Sequence, residues 1–183
     1  MKSSPLPWLP WCALCACAGV AALLPSTTMA SNDKKAVVDL VCRMSVPAMV
    51  ASAKNVPLKF QISNRGKHAV NVLTWNTPLE GFYGKFLQIT GPQGEVEYNG
   101  AMVKRASPMR EDYVSIRAGA TVTKTLNLGT AYELNTAGKY EVVFAGKLID
   151  ATTGKIPRGF TEHAGFEITC PPAKFELGRA GKS

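Results

Sequence analysis

The chain has 183 residues, 46% of them apolar, with 12 prolines, 16 glycines and a formal net charge of +8 at pH 7. This is the composition of one globular domain with room for a leader, and it excludes a disordered chain, a collagen-like chain and a multispan membrane protein. The two histidines, His68 and His163, lie far apart in sequence, so no motif built on paired histidines is present.

Residues 1–30 read as a secretory signal peptide. Lys2 precedes an apolar run from Trp8 to Leu24, and Thr28 and Ala30 place small side chains three and one positions before a cut that would make Ser31 the first mature residue. Two other readings stand beside it. Leu14-Cys15-Ala16-Cys17 has the form of a lipoprotein cleavage site, although the bulky run from Val20 to Leu24 would then follow the anchor. An uncleaved anchor helix is limited by Pro10 and Pro25, which leave fewer than the ~20 apolar residues a span needs. Processing implies a periplasmic or extracellular protein without a membrane span, about 150 residues long, which suits a single domain. It also removes Cys12, Cys15 and Cys17. The remaining Cys42 and Cys170 are expected to form one disulfide, against the alternative of two buried thiols.

The mature sequence alternates with period two and nowhere sustains a helical stripe, which predicts an all-β fold. Leu40, Cys42 and Met44 alternate with polar neighbours in a first strand stopped by Pro47. Leu58, Phe60 and Ile62 mark a second, ended by the turn Asn64-Arg65-Gly66-Lys67. Ala69 to Trp75 supplies a third. Phe86 to Thr90 then turns through Gly91-Pro92-Gln93-Gly94 into Glu95 to Tyr98, a hairpin. Tyr113 to Ile116 is short and extended, and Val122, Leu126 and Leu128 mark the next strand, with Lys124 as a charge on its apolar side that would snorkel at a sheet edge. Gly138 to Phe144 is the cleanest strand. Phe166, Ile168 and Cys170 form the last, before Pro171-Pro172 ends pairing.

Seven or eight short strands separated by turns predict an immunoglobulin-like antiparallel β-sandwich over residues 31–172, with residues 173–183 as a tail. Gly138 followed by Tyr140 at the mouth of a buried strand makes Tyr140 either a tyrosine-corner residue or an ordinary core tyrosine. Cys42 and Cys170 occupy the apolar register of the first and last strands, which in such a sandwich can lie side by side.

Catalytic chemistry has few places to stand. Glu162-His163 lacks a second histidine at helical spacing for zinc, no serine sits between glycines on an elbow, and no glycine-rich phosphate loop precedes a helix. A free thiol beside histidine is ruled out if both cysteines serve as a staple. Met44, Met49, Met102 and Met109 are too scattered for a copper site and read as core fillers. The chain is therefore expected to be no enzyme and to hold no metal or cofactor. Positive charge runs thinly from Lys34-Lys35 through Lys104-Arg105 to Lys182 without interleaved aromatics, so nucleic acid is not expected as a partner.

The segment from Trp75 to Tyr113 is the most distinctive. It carries Trp75-Asn76-Thr77-Pro78-Leu79-Glu80-Gly81, then Tyr98-Asn99-Gly100 followed by Lys104-Arg105, then Pro108-Met109-Arg110-Glu111-Asp112-Tyr113. These stretches, with Ala131-Tyr132-Glu133-Leu134 and Gly138-Lys139-Tyr140, resemble the N-terminal β-domain of bacterial deuterolysin-like, lysine-specific metalloendopeptidases over roughly Val56 to Gly146. Proteases of that family add a catalytic domain with an H-E-x-x-H zinc site. No such motif occurs in this sequence, so no catalytic role carries over. The resemblance implies a non-catalytic, pro-region-like domain that helps a protease fold or keeps it latent. Trp75, Thr77, Pro78, Glu80, Gly81, Tyr98, Lys104, Arg105, Asp112 and Tyr113 then form a candidate protein-binding surface, with a metalloendopeptidase as the candidate partner. Each also has a plain structural reading. Trp75 packs the core, Pro78 and Gly81 shape a turn, and Glu80 and Asp112 bind local amides or pair with Lys104 and Arg105. The alternative function is a structural or interaction protein of the cell envelope without a protease partner.

Overall fold

The computed structural model describes residues 37–156 and 165–179. The expected signal peptide, with Cys12, Cys15 and Cys17, and His163 lie outside the described residues. The fold is all-β. Three strands, β1 (Leu40–Ser45), β3 (Pro57–Asn64) and β8 (Thr121–Asn127), form one antiparallel sheet in the order β1-β3-β8. Alternation in β3 sends Leu58, Phe60 and Ile62 fully inward, as the sequence predicts, while Lys59, Gln61 and Ser63 face out or lie half-buried.

The pairing of β3 with β8 pauses at the turns 65–69 and 117–120, then resumes as β4 (Val70–Leu73) against β7 (Tyr113–Ile116). β10 (Ala151–Thr152) adds to the far side of β4. Asn64 holds the two turns together. Its buried side-chain amide donates to the carbonyls of His68 at 2.8 Å and Ile116 at 2.9 Å, and its Oδ1 accepts from the N–H of Gly66 at 2.9 Å.

The second layer has five strands in the order β2-β11-β9-β5-β6, namely β2 (Met49–Val50), β11 (Ala173–Leu177), β9 (Gly138–Phe144), β5 (Leu87–Gly91) and β6 (Gly94–Glu95). All pairs are antiparallel except β2 with β11. The two sheets meet face to face as a β-sandwich. Phe60 of β3 and Phe144 of β9 approach to 5.7 Å between ring centroids, in a core that also takes Val142, Phe175 and Leu177. The strand count exceeds the expected seven or eight because several strands are two residues long. Gly138, at φ +137°, opens β9, and the Tyr140 hydroxyl donates to the Thr136 carbonyl at 2.6 Å. This is a tyrosine corner, and Tyr140 is at the same time buried and stacked on Phe175 at 5.0 Å.

The C-terminal end departs from the sequence reading. Phe166 makes a single bridge to Leu148, and the last strand is β11, lying beyond Pro171-Pro172 in the segment expected to be a tail. Proline cannot donate to a ladder, but it is tolerated just ahead of a strand, and Ala173, Phe175 and Leu177 then point inward. Cys42 and Cys170 are joined, with Cα atoms 4.8 Å apart. They do not link side-by-side strands. β1 pairs with β3, whereas Cys170 leads into β11 of the opposite sheet, so the bridge ties the two layers.

β8 is an edge strand, paired only with β3 among the described residues. Lys124 stands opposite Phe60 in its inward register and remains exposed, as expected of a charge at an edge.

Candidate functional site

After β4 the chain turns sharply. Asn76 adopts φ +58°, a left-handed conformation that asparagine tolerates better than most side chains, and Gly81 follows at φ +110°. The Thr77 hydroxyl is fully buried, donates to the Thr74 carbonyl at 2.5 Å and accepts from the N–H of Leu79 at 3.1 Å. Pro78 is buried beside it. These residues build the turn that aims Glu80.

Glu80 has two partners. One carboxylate oxygen accepts from the N–H of Asn76 at 2.8 Å, and the other takes the guanidinium of Arg105, 25 residues away, at 2.5 Å. The guanidinium lies 5.1 Å from the centre of the Trp75 ring and 5.7 Å from that of Tyr83, so a cation is held between two aromatic faces with a carboxylate behind it. Only 9% of the Glu80 side chain is exposed. Burial pushes its carboxyl above the ordinary value, and the Asn76 amide and Arg105 oppose that shift.

Arg105 pins an arm. Ala101 to Ser107 are all exposed and carry no regular secondary structure. At the upstream end the Tyr98 hydroxyl donates to the Ala101 carbonyl at 2.8 Å, and the Tyr98 ring sits edge-on to Tyr132 at 5.2 Å. Gly100 lies so close to the Tyr98 ring that a Cβ there would approach it to 2.5 Å. In mid-arm the Val103 N–H donates to the Tyr83 carbonyl at 3.3 Å. Downstream, Pro108 is buried, and the Asp112 carboxylate accepts from the N–H of Met109 at 2.8 Å. The Asp112 carbonyl takes both the amide and the hydroxyl of Thr74 at 2.9 Å. Tyr113 donates to the buried Asp150 at 2.9 Å, and burial followed by that carboxylate drives its phenol far above the ordinary tyrosine value.

Of the ten candidate residues, the fold brings Trp75, Glu80 and Arg105 into one cluster, built on the turn of Thr77, Pro78 and Gly81. Tyr98, Asp112 and Tyr113 fasten the arm at separate points. Lys104 faces solvent, with no described residue paired to its ammonium. Sequence reasoning missed Tyr83, the second aromatic face over Arg105, and Asp150. Tyr83 follows Gly81 at the end of a turn, which is a usable cue, whereas nothing in the sequence around Asp150 signals a buried acceptor. Tyr83, Met102, Val103 and Met109 leave large apolar surfaces exposed along the arm. Nearby, a cleft of about 890 Å³ is bordered by Asn71, Pro108, Arg110, Tyr113 and Lys155. Among the described residues no three His, Cys, Asp or Glu side chains gather as a metal site, and no helix is long and apolar enough to cross a membrane.

Arg105→Ala should destabilise the domain by about 1–2 kcal/mol at neutral pH, the sum of a charge-assisted hydrogen bond and two cation–π contacts at a partly exposed site. Without Arg105 the Glu80 carboxyl rises further, because a lowering influence is gone. A folded-state pKa above the unfolded one means stability is lost as pH rises through it, so the deficit should shrink in acid. Urea midpoints of both proteins at pH 4 and pH 7 test this, and an equal deficit at the two pH values would show that Glu80 is not the group left unpaired.

No protein-family model matches the chain. It is 29% identical over 91 residues to an extracellular protease of Aeromonas hydrophila, a stretch that is 50% of this chain and 26% of the protease. Solved structures overlap it only loosely. A CARDB domain from Pyrococcus furiosus, in complex with di-metal ions, is 13% identical with a TM-score of 0.33, covering 77% of this chain and 92% of that domain. The Pseudomonas fluorescens alkylpurine DNA glycosylase AlkC is 14% identical at a TM-score of 0.34, covering 79% of this chain and 32% of that one. What these comparisons identify is distant sequence similarity to part of an extracellular protease.

Proposed function

We propose that this chain is an exported, non-catalytic β-sandwich module that binds an endopeptidase and assists its folding or restrains its activity. The observation that carries the reading is the similarity to an extracellular protease, which falls on half of this chain but only about a quarter of that protein. A β-sandwich without a described cluster of metal-binding side chains suits the part of a protease that does no chemistry. The motifs Trp75 to Gly81, Lys104-Arg105 and Pro108 to Tyr113 narrow the proposed partner to a metalloendopeptidase of the deuterolysin-like, lysine-directed kind. The docking surface is the strapped segment from Trp75 to Tyr113. Its side-chain ties hold an exposed loop in one shape, which lowers the ordering cost of binding.

The test is direct. The purified chain is added in trans to the catalytic domain of a bacterial lysine-directed zinc endopeptidase, and heat of binding, peptide hydrolysis and refolding yield are measured. Binding with lowered hydrolysis indicates an inhibitor, and binding with raised refolding yield indicates a folding assistant. If there is no heat of binding and neither rate nor yield changes, the protease reading fails and a structural envelope role takes its place.

A further inference from the structure

The arm that carries Lys104 has the properties of a cleavage site. Ala101 to Ser107 are exposed, the neighbours are small (Gly100, Ala101, Ala106 and Ser107), and the arm belongs to no strand ladder, so the long Val103 N–H bond to the Tyr83 carbonyl at 3.3 Å and the Tyr98 hydroxyl bond to Ala101 are what must yield before it enters a protease cleft. Two adjacent basic residues occupy its centre, and the structure treats them oppositely. Arg105 is committed to Glu80, Trp75 and Tyr83. Lys104 is exposed, and no described residue pairs with its ammonium.

We infer that the arm is a proteolytic processing site, cut between Lys104 and Arg105 by an endopeptidase whose acidic pocket receives the Lys104 side chain. Water is the co-reactant. Its hydroxyl adds to the carbonyl carbon of Lys104, the amide nitrogen of Arg105 takes the proton, and the C–N bond breaks to leave a carboxylate and a new amino terminus. The bond after Arg105 is protected, because its guanidinium is occupied and cannot enter such a pocket without releasing Glu80.

The product stays in one piece. Cys42 lies before the cut and Cys170 after it, so the disulfide joins the two fragments covalently. The ladders of β3 with β8 and of β5 with β9 also cross between the fragments. Cleavage therefore yields a disulfide-linked two-chain protein in which the upstream half of the arm can leave Tyr83 while Arg105 remains seated. This inference needs no particular partner and stands apart from the proposed protease-binding role.

Trypsin is the probe, since its acidic pocket takes lysine or arginine. Brief digestion of the native full-length protein, read by mass spectrometry, should give a first internal cut after Lys104. Gels should show one band without reductant and two fragments with it. Lys104→Gln, a surface change that leaves the fold alone, should slow cleavage in the arm more than about a hundredfold, because a pocket built for a cation rejects a neutral amide. Glu80→Ala, which frees Arg105, should open a second cut after Arg105. The inference is overturned if the first internal cut falls outside residues 100–107, if wild type is cut as fast after Arg105, if Lys104→Gln is cut in the arm at the wild-type rate, or if the fragments separate without reductant.

Discussion

Replacing Cys42 and Cys170 together by alanine should lower the stability of the domain by roughly 5 kcal/mol, the loss expected when a bridge across so long a loop no longer restrains the unfolded chain. The two cysteines are separated by 128 residues, so nearly the whole described domain lies inside the loop. Alanine is the right replacement, because both positions are buried and serine would add unsatisfied hydroxyls. A domain of this size is stable by only about 5–15 kcal/mol, so the change consumes a large part of the margin. Urea unfolding of the oxidised protein and the double variant measures it. A difference no larger than that of a surface substitution would show that the bridge restrains little, and that the sheets hold together by packing alone.

Asn64→Ala should cost about 2 kcal/mol, with a loss of cooperativity between β3–β8 and β4–β7. The substitution strands the Ile116 carbonyl where its bond is buried, at a penalty of about 1 kcal/mol or more, while the His68 carbonyl and the Gly66 N–H, in part-buried bonds, can turn to water at a smaller cost. Asn64→Asp separates the effects, since it keeps the acceptor for Gly66 but has no side-chain donor for the two carbonyls. It should be at least as destabilised as the alanine variant. Thermal melts of both give the ordering. An alanine variant within a few tenths of a kcal/mol of wild type would mean that the turns find other partners or open to solvent.

The strands were legible where both sides of the alternation are visible in the sequence. Leu58, Phe60 and Ile62 against Lys59, Gln61 and Ser63 define β3, Gly138 to Phe144 is the observed extent of β9, and Tyr113 to Ile116 that of β7. The final strand lies beyond Pro171-Pro172, a pair that looks like a stop in the sequence, although Ala173-Lys174-Phe175-Glu176-Leu177 alternates just as cleanly. Short pairings such as β2 and β10 have too few residues to show a period, and only the tertiary fold selects them. The staple between Cys42 and Cys170 followed from counting cysteines, but which layers it joins depends on the path after the prolines. At the candidate site, adjacency implied that Lys104 and Arg105 face different ways. The aromatic clasp on Arg105 is hidden, because it closes across 22 to 30 residues between irregular segments on either side of the β5–β6 hairpin, and no periodicity relates those segments.

Lys124 bears on how this domain behaves in a crowd. β8 presents an unpaired edge among the described residues, the kind of surface on which identical molecules add strand to strand and grow into fibres. Any molecule docking there would have to seal the Lys124 ammonium against the rim of the apolar interior, where the residue opposite is Phe60. A valine at that position would complete the row of Val122 and Leu126 and suit the core better. The lysine gives up that packing and, by holding a charge on the open edge, works against strand-on-strand growth at high concentration.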